Sequence, residues 1–335
     1  MDIPARFPLN RLPSLAVEEV MSTMLPFELY NFSKVSTSCR LIVKAFSKNR
    51  IHKHYSIHIM NTENPTIKFE RNKVFYGWEM TNEIEKDGDR YSSTGVECFF
   101  QNEAVYVYCD GANLMEKCME MFIYLKDLFN IGIDYCHIYL WEFKELHQTI
   151  LDWLLSNFRT LVGVSIDCGK EPVALLEHTL KCLTITKNVH ICGQTMEKSP
   201  YSIPEHFDEV RIDYGEWITL ELLMSFKAST IKTLHAGLSD ADLNSFLKSW
   251  INMECLQNLR SLEATVADPN LETVLQDVPH RFGNPDRSSW RNRQYQQMGE
   301  GVEIDRNDGI VASIFVYQVL DFFVMVMTTS LTTSG

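Results

Sequence analysis

Three histidines, His52, His54 and His58, lie within seven residues, and imidazole nitrogen is a common zinc ligand. Their spacing, His-x-His-x-x-x-His, has no adjacent Cys or carboxylate to complete a tetrahedral set, so it reads as a solvated linker. Asp87-Gly88-Asp89 supplies oxygens of the kind calcium takes, yet it lacks the twelve-residue ligand spacing and the closing Glu, and reads as a turn. Asp305, Asp308 and Gly309 bring acids together, but Asp-Gly between apolar flanks is hairpin-turn chemistry. Gly-x-Ser-x-Gly, His-Glu-x-x-His, a phosphate-cradling Gly-Lys-Thr loop and Gly-x-Gly-x-x-Gly are all missing from the chain. The expectation is a non-enzyme, with no catalytic residue, no metal and no cofactor.

One stretch keeps the means to recognise something. Arg281, Arg287, Trp290, Arg291 and Arg293 form a basic, aromatic-bearing segment within the loop-rich stretch Ala267–Arg306. Such residues grip an acidic protein or stack on RNA bases. The whole chain carries 31 Lys+Arg against 44 Asp+Glu, a formal charge of -13, which repels phosphate backbones and anionic lipid. Nucleic acid is therefore set aside; the segment reads first as a solvated loop, and Arg287, Trp290, Arg291 and Arg293 are the candidate residues should it contact a target protein. An enzyme using Ala267–Arg306 is the weakest alternative.

Nine Cys, an odd number with no Cys-x-x-Cys, fit a reducing compartment, so the protein is expected in the cytoplasm and/or nucleus. The first residues lack the apolar stretch of a secretory signal. Residues 310–327 are apolar enough to suggest a tail anchor, but Gln318 and Asp321 interrupt them, and an Asp at a helix centre costs about 2.5–3.5 kcal/mol on insertion. Two core strands meeting near Gln318–Asp321 are expected instead. Trp141, Trp217 and Trp250 sit in apolar patterns and are expected in the core.

The elements follow from periodicity. Ser14 can cap a helix bearing Ala16, Val17, Val20, Met21 and Met24 on one face, and Pro26 ends it and begins the next, which carries Leu29 and Phe32. A third helix starts near Ser36 with Cys39, Ile42, Val43 and Phe46 at i, i+3, i+4 and i+7. So short a segment buries too little apolar surface to stand alone. From Tyr55 to Asp110 the pattern is strand-like, over Ser56–Met60, Thr66–Glu70, Val74–Met80, Val96–Gln101 and Ala104–Cys109. Beyond Ala112, helices at Leu114–Phe129, Leu146–Asn157, Pro172–Leu183 and Trp217–Phe226 alternate with strands at Tyr135–Trp141, Val162–Asp167, Asn188–Cys192 and Glu209–Tyr214. Ser239-Asp240-Ala241-Asp242 has a capping-box pattern ahead of Leu243, Phe246, Leu247, Trp250 and Ile251. The recurrence suits leucine-rich-type units, without their regular register.

The stretch from Phe7 to Met21, with Leu12-Pro13 at its centre, resembles the opening of an F-box. Pro26-Phe27-Glu28-Leu29 and Phe32-Ser33-Lys34-Val35-Ser36 continue the likeness. Met24 and Leu25 depart from the usual Leu-Asp, and no aromatic follows Val35-Ser36 closely. Far along the chain, Leu234-His235-Ala236-Gly237, Asp242–Trp250 and Gly301–Ile314 resemble the F-box-associated domain of the large nematode F-box family.

The resemblance implies a role and no reaction. Leu12, Pro13, Val20, Met21, Pro26, Leu29, Phe32 and Val35 would bind a Skp-family adaptor and through it a cullin, while the rest recruits an unknown target protein for ubiquitination. The expected fold is mixed, α+β or α/β: a three-helix F-box at 1–50, a strand-rich connector at 51–111, and an irregular leucine-rich-repeat-like α/β domain at 112–335. The alternative is a stand-alone interaction scaffold whose helices pack on its own strands. No membrane partner is expected.

Overall fold

The computed structural model describes residues 12–48, 50–94, 101–110, 113–142, 146–171, 173–193, 207–266, 269–283, 301–319 and 322–331. The chain forms two compact units, Met1–His137 and Ile138–Gly335. Both mix helix and strand, so the α+β expectation holds at that level.

The first unit opens with α1 (Ser14–Ser22), α2 (Pro26–Val35) and α3 (Thr37–Ser47), followed by one turn, α4 (Ile51–His54). Pro13, not Ser14, holds the N-cap of α1, and it makes no side-chain cap bond. Pro26 starts α2, where a missing N–H costs nothing, and the Glu28 carboxylate accepts the Leu25 N–H at 2.9 Å. The Ser36 hydroxyl caps α3 by accepting the Cys39 N–H at 3.1 Å.

Strands β1 (Ser56–Asn61), β2 (Thr66–Arg71), β3 (Val74–Thr81), β4 (Arg90–Thr94), β5 (Gln101–Tyr108) and β6 (Tyr135–Tyr139) lie in the order β6-β1-β2-β3-β5-β4. A strand at Val96–Gln101 falls largely outside the described residues, and β4 precedes it. Alternation sends Ile57, Ile59, Ile67, Phe69, Trp78 and Met80 to one buried face, as the two-residue side-chain period of a strand requires. That face meets α5 (Leu114–Phe129), whose Cys118, Phe122, Leu125 and Phe129 are fully buried. Asn113 caps α5 and Asn130, at φ 54°, ends it in the left-handed conformation. Asp87-Gly88-Asp89 is a turn, with Gly88 at φ 78°.

In the second unit, α6 (His147–Asn157), α7 (Val173–Cys182), α8 (Leu220–Ser225) and α9 (Asp240–Ile251) alternate with β7 (Leu161–Gly169), β8 (Ile185–Gly193), β9 (Glu209–Asp213), β10 (Thr230–Thr233) and β11 (Ser261–Val266). These five strands pair in parallel and in chain order. After α10 (Leu271–Val274), the strands β12 (Arg281–Gly283), β13 (Gly301–Asp305), β14 (Ile310–Val319) and β15 (Phe322–Leu331) add antiparallel to β11 in the order β12-β13-β14-β15. Residues 310–319 and 322–327 thus lie in two antiparallel paired strands, with Val319 paired to Phe322. No helix among the described residues is long and apolar enough to cross a membrane. Trp217 and Trp250 are buried as expected, but Trp141 is 50% exposed, which corrects the core placement.

Candidate functional site

The three N-terminal helices are fastened on one side to their own unit. Tyr30 of α2 meets Trp78 edge-on at 5.7 Å and Tyr124 at 5.6 Å. The Lys34 ammonium stands 3.6 Å from the centre of the Tyr124 ring, and Ser33 is hydrogen-bonded to the Tyr124 hydroxyl at 3.1 Å. On α3, Arg40 and Lys44 grip Asp127 of α5 at 2.9 and 2.5 Å. Those hydrogen bonds, Lys44's first, hold the Asp127 carboxyl below its usual range. Arg50 closes the bundle by pairing with Glu18 of α1 at 2.7 Å.

This fastening sorts the eight residues proposed for adaptor contact. Met21, Pro26 and Leu29 are buried within the chain, Leu12 and Phe32 are half-buried, and Pro13, Val20 and Val35 are exposed. Leu15 and Leu41, not singled out from the sequence, are exposed at 69% and 62%, and Val35 at 73%. The reason is helical phase. Cys39, Val43 and Ser47 turn α3 inward every fourth residue, which leaves Leu41 on the opposite side. Four of the eleven large apolar side chains that are exposed among the described residues fall between Leu15 and Leu41. A groove of about 460 Å³ also opens between α1 and α3, with Val17, Met21, Ile42 and Phe46 in its walls.

In the second unit α9 is built differently. Ser239 and Asp242 form a reciprocal capping box, and Leu243, Phe246, Leu247 and Trp250 are buried. Arg306, 4% exposed, makes two 2.8 Å bonds to the Asp308 carboxylate and donates to the Gln257 carbonyl at 2.8 Å. Its guanidinium lies 5.0 Å from the Trp250 ring centre. The Asn307 N–H donates to the Ile251 carbonyl at 3.2 Å, and Gly309 takes φ 88° in the turn. Asp308 and Gly309 thus lie in the expected turn, with Asp305 ending the strand before it, and Arg306 clamps the turn onto α9.

Two family descriptions match the chain: "F-box domain" over residues 9–51 and "F-box associated" over 200–264. The chain carries an F-box and an F-box-associated segment. A curated Caenorhabditis elegans protein, "Skn-1 dependent zygotic transcript 15 protein", is 23% identical over 93% of this chain and 94% of its own length. No solved structure matches. The F-box match covers α1, α2 and α3 and ends in the first residue of α4. The F-box-associated match holds Leu234–Gly237 and Asp242–Trp250, whereas Gly301–Ile314 lies beyond it and reaches the segment through Arg306. Both matched modules are adaptor or interaction modules.

Arg287, Trp290, Arg291 and Arg293 lie outside the described residues. Among the described residues no cluster of His, Cys, Asp or Glu is placed to hold a metal. His58 is buried, 3.2 Å from His137 Nε2 and stacked on Tyr135, which corrects its reading as part of a solvated linker. Burial first, then His137 and Lys68, lower its pKa to about 3; Glu70, 3.6 Å from Nε2, is beyond hydrogen-bond length.

One constellation had no counterpart in the sequence reading. Ser165 lies 3.0 Å from His190 Nδ1, and His190 Nε2 lies 2.8 Å from Asp213, across β7, β8 and β9. Burial alone would raise the Asp213 carboxyl, but bonds from His190 and Arg211 hold it low. Ser165 sits mid-strand in the β7–β8 ladder, where neighbouring N–H groups serve the sheet and offer no oxyanion site. The row is a cross-strand polar ladder. Its members stand 25 and 23 residues apart, a separation only the parallel register makes adjacent.

Proposed function

We propose that this chain is the substrate-recognition adaptor of a Skp–cullin–F-box ubiquitin ligase. Its F-box binds a Skp-family adaptor and its second half recruits a target protein for ubiquitination. The observation that carries this reading is the F-box match at 9–51 on helices that keep Leu15, Val20, Val35 and Leu41 turned to solvent while their other faces are anchored. Exposed apolar side chains of this kind are what helix-to-groove recognition buries. By role, 1–50 is the coupling segment, 51–111 a connector and 112–335 the recruiting region. Its in-order parallel strands and intervening helices support a leucine-rich-repeat-like description without a regular register. The eight described cysteines are unpaired, which supports residence in the cytoplasm and/or nucleus. Arg287, Trp290, Arg291 and Arg293 remain a proposed target contact on composition alone.

Mixing the purified chain with a Skp-family adaptor tests the reading. Binding by the parent, and its loss in Leu12→Ala/Pro13→Ala, is the expected result. No binding by the parent, or full binding by the double variant, would refute it. The rival scaffold reading draws on the burial of Met21, Pro26 and Leu29 against the chain itself, and it expects no adaptor binding at all.

A further inference from the structure

In an open sheet of parallel strands, ligands seat at the carboxyl ends, where loops diverge. The carboxyl ends of β7, β8 and β9 here enclose a cavity of about 500 Å³, walled by Trp141, Asp167, Glu171, Cys192 and Tyr214. Trp141 is 50% exposed and Tyr214 39%. Tryptophan and tyrosine are the side chains that most often anchor a protein partner, and two in one cavity are unusual for a surface that stays wet.

Both rings are held in place. A Cβ on Gly169, at φ 53°, would come within 2.7 Å of Trp141 Cδ1, so only glycine lets the indole rest there. Tyr214 and His235 both adopt left-handed backbone, at φ 59° and 55°, and their rings stack at 5.5 Å and 8°. The Gly215 N–H, donating to the Leu234 carbonyl at 2.7 Å, locks that corner.

The charge around the cavity is negative. Among the described residues, Asp167, which also accepts the Gly169 N–H at 2.9 Å, Glu171 and Lys170 line it, and Asp213 nearby is paired with Arg211 and His190. Burial first, and these carboxylates second, act on two neighbouring acids. The Cys192 thiol is pushed up to about 11 by burial, Asp167 and Asp213, and the Tyr139 hydroxyl is raised by burial, Asp167 and Glu142. Two aromatic faces beside carboxylates suit a cation, since a guanidinium or ammonium gains from both.

We propose that this cavity seats an extended segment of the target protein through an arginine or lysine side chain, stacked on Trp141 or Tyr214 and paired with Asp167 or Glu171. The inference rests on reading this unit as the recruiting half of the adaptor. It assigns the target's chemistry: a basic peptide segment, complementary to a chain of formal charge -13.

A display library of randomised ten-residue peptides, panned on the immobilised full chain, tests it. Selected peptides should share an Arg or Lys and bind Trp141→Ala and Glu171→Gln about tenfold more weakly than the parent. Glu171→Arg should turn selection toward peptides with Asp or Glu. Circular dichroism and an unchanged thermal midpoint establish that each variant is folded. Selection of peptides without a basic residue, unchanged binding by both folded variants, or no enrichment over bare support would overturn the proposal. Adaptor binding is measured on the same preparations. A chain that selects basic peptides but ignores the adaptor keeps the cavity and loses the ligase role. One that binds the adaptor but selects no basic peptide loses the cavity alone.

Discussion

Helices α3 and α9 are both amphipathic and both fastened to a neighbour, yet they are fastened in opposite ways. The α9 face is sealed: Leu243, Phe246, Leu247 and Trp250 are buried, and the buried Arg306 lies over Trp250 and is bonded to the Gln257 carbonyl. On α3 only Cys39, Val43 and Ser47 are buried, the ties to Asp127 are surface ion pairs, and Leu41 faces water. A sealed helix is scaffold, whereas a helix held by one edge with apolar residues outward is poised to be covered by something else. If the chain couples to an adaptor as proposed, the open apolar residues of α1, α2 and α3 are the surface it would use, and α9 is part of the frame of the F-box-associated segment.

The contrast can be broken most easily at the sealed end. Trp250→Ala should cost about 3–5 kcal/mol of unfolding free energy, because it opens a cavity under Arg306, and urea unfolding reads it directly. A cost under about 1 kcal/mol would mean the clamp is not structural. Arg306→Ala should follow with about 1–3 kcal/mol, since it leaves the Gln257 carbonyl without its donor and removes the cover over Trp250.

Acid sensitivity ranks next. His58 has a folded pKa near 3 against about 6.5 unfolded, so between those values the unfolded chain holds the extra proton and stability falls as pH drops. The expected slope is about 1.4 kcal/mol per pH unit through that window. His58→Phe should flatten it in urea titrations from pH 6.5 to 4, and an unchanged slope would reject the assignment. Asp127, held low, adds stability above its unfolded pKa that is lost as pH falls through the folded one. Its partners are nearly half-exposed, however, so Asp127→Ala should cost only about 0.5 kcal/mol in the same urea assay.

The smallest effects on stability fall on the open face. Leu15→Ser and Leu41→Ser should change unfolding free energy by about 0.5 kcal/mol or less, as exposed substitutions usually do. They should nevertheless weaken adaptor binding at least as much as Leu12→Ala/Pro13→Ala.

Much of this frame was legible in the sequence because local rules and tertiary packing agree in it. Leu114–Phe129 is a helix end to end, the Ser239–Asp242 capping box forms, and strands at 56, 66 and 74 start where alternation begins. What stayed hidden depends on registers between distant segments. Ser165, His190 and Asp213 become neighbours only through parallel pairing, and Arg306 finds Gln257 across 49 residues. The family resemblance grouped Met21 and Leu29 with Val20 and Val35 as one adaptor-facing set. It could not tell which of them the chain itself would cover, because that choice belongs to the neighbouring elements. Trp141 was misplaced for a related reason: an apolar run ends at it, but a glycine 28 positions later decides that the ring lies at the surface.

Amide hydrogen exchange of the full chain, with and without a Skp-family adaptor, tests the central claim most directly. Slowed exchange confined to residues 12–47, with residues 138–335 unchanged, is the predicted result. No protection in 12–47, or protection confined to the second unit, would contradict the placement of the coupling surface on the F-box helices.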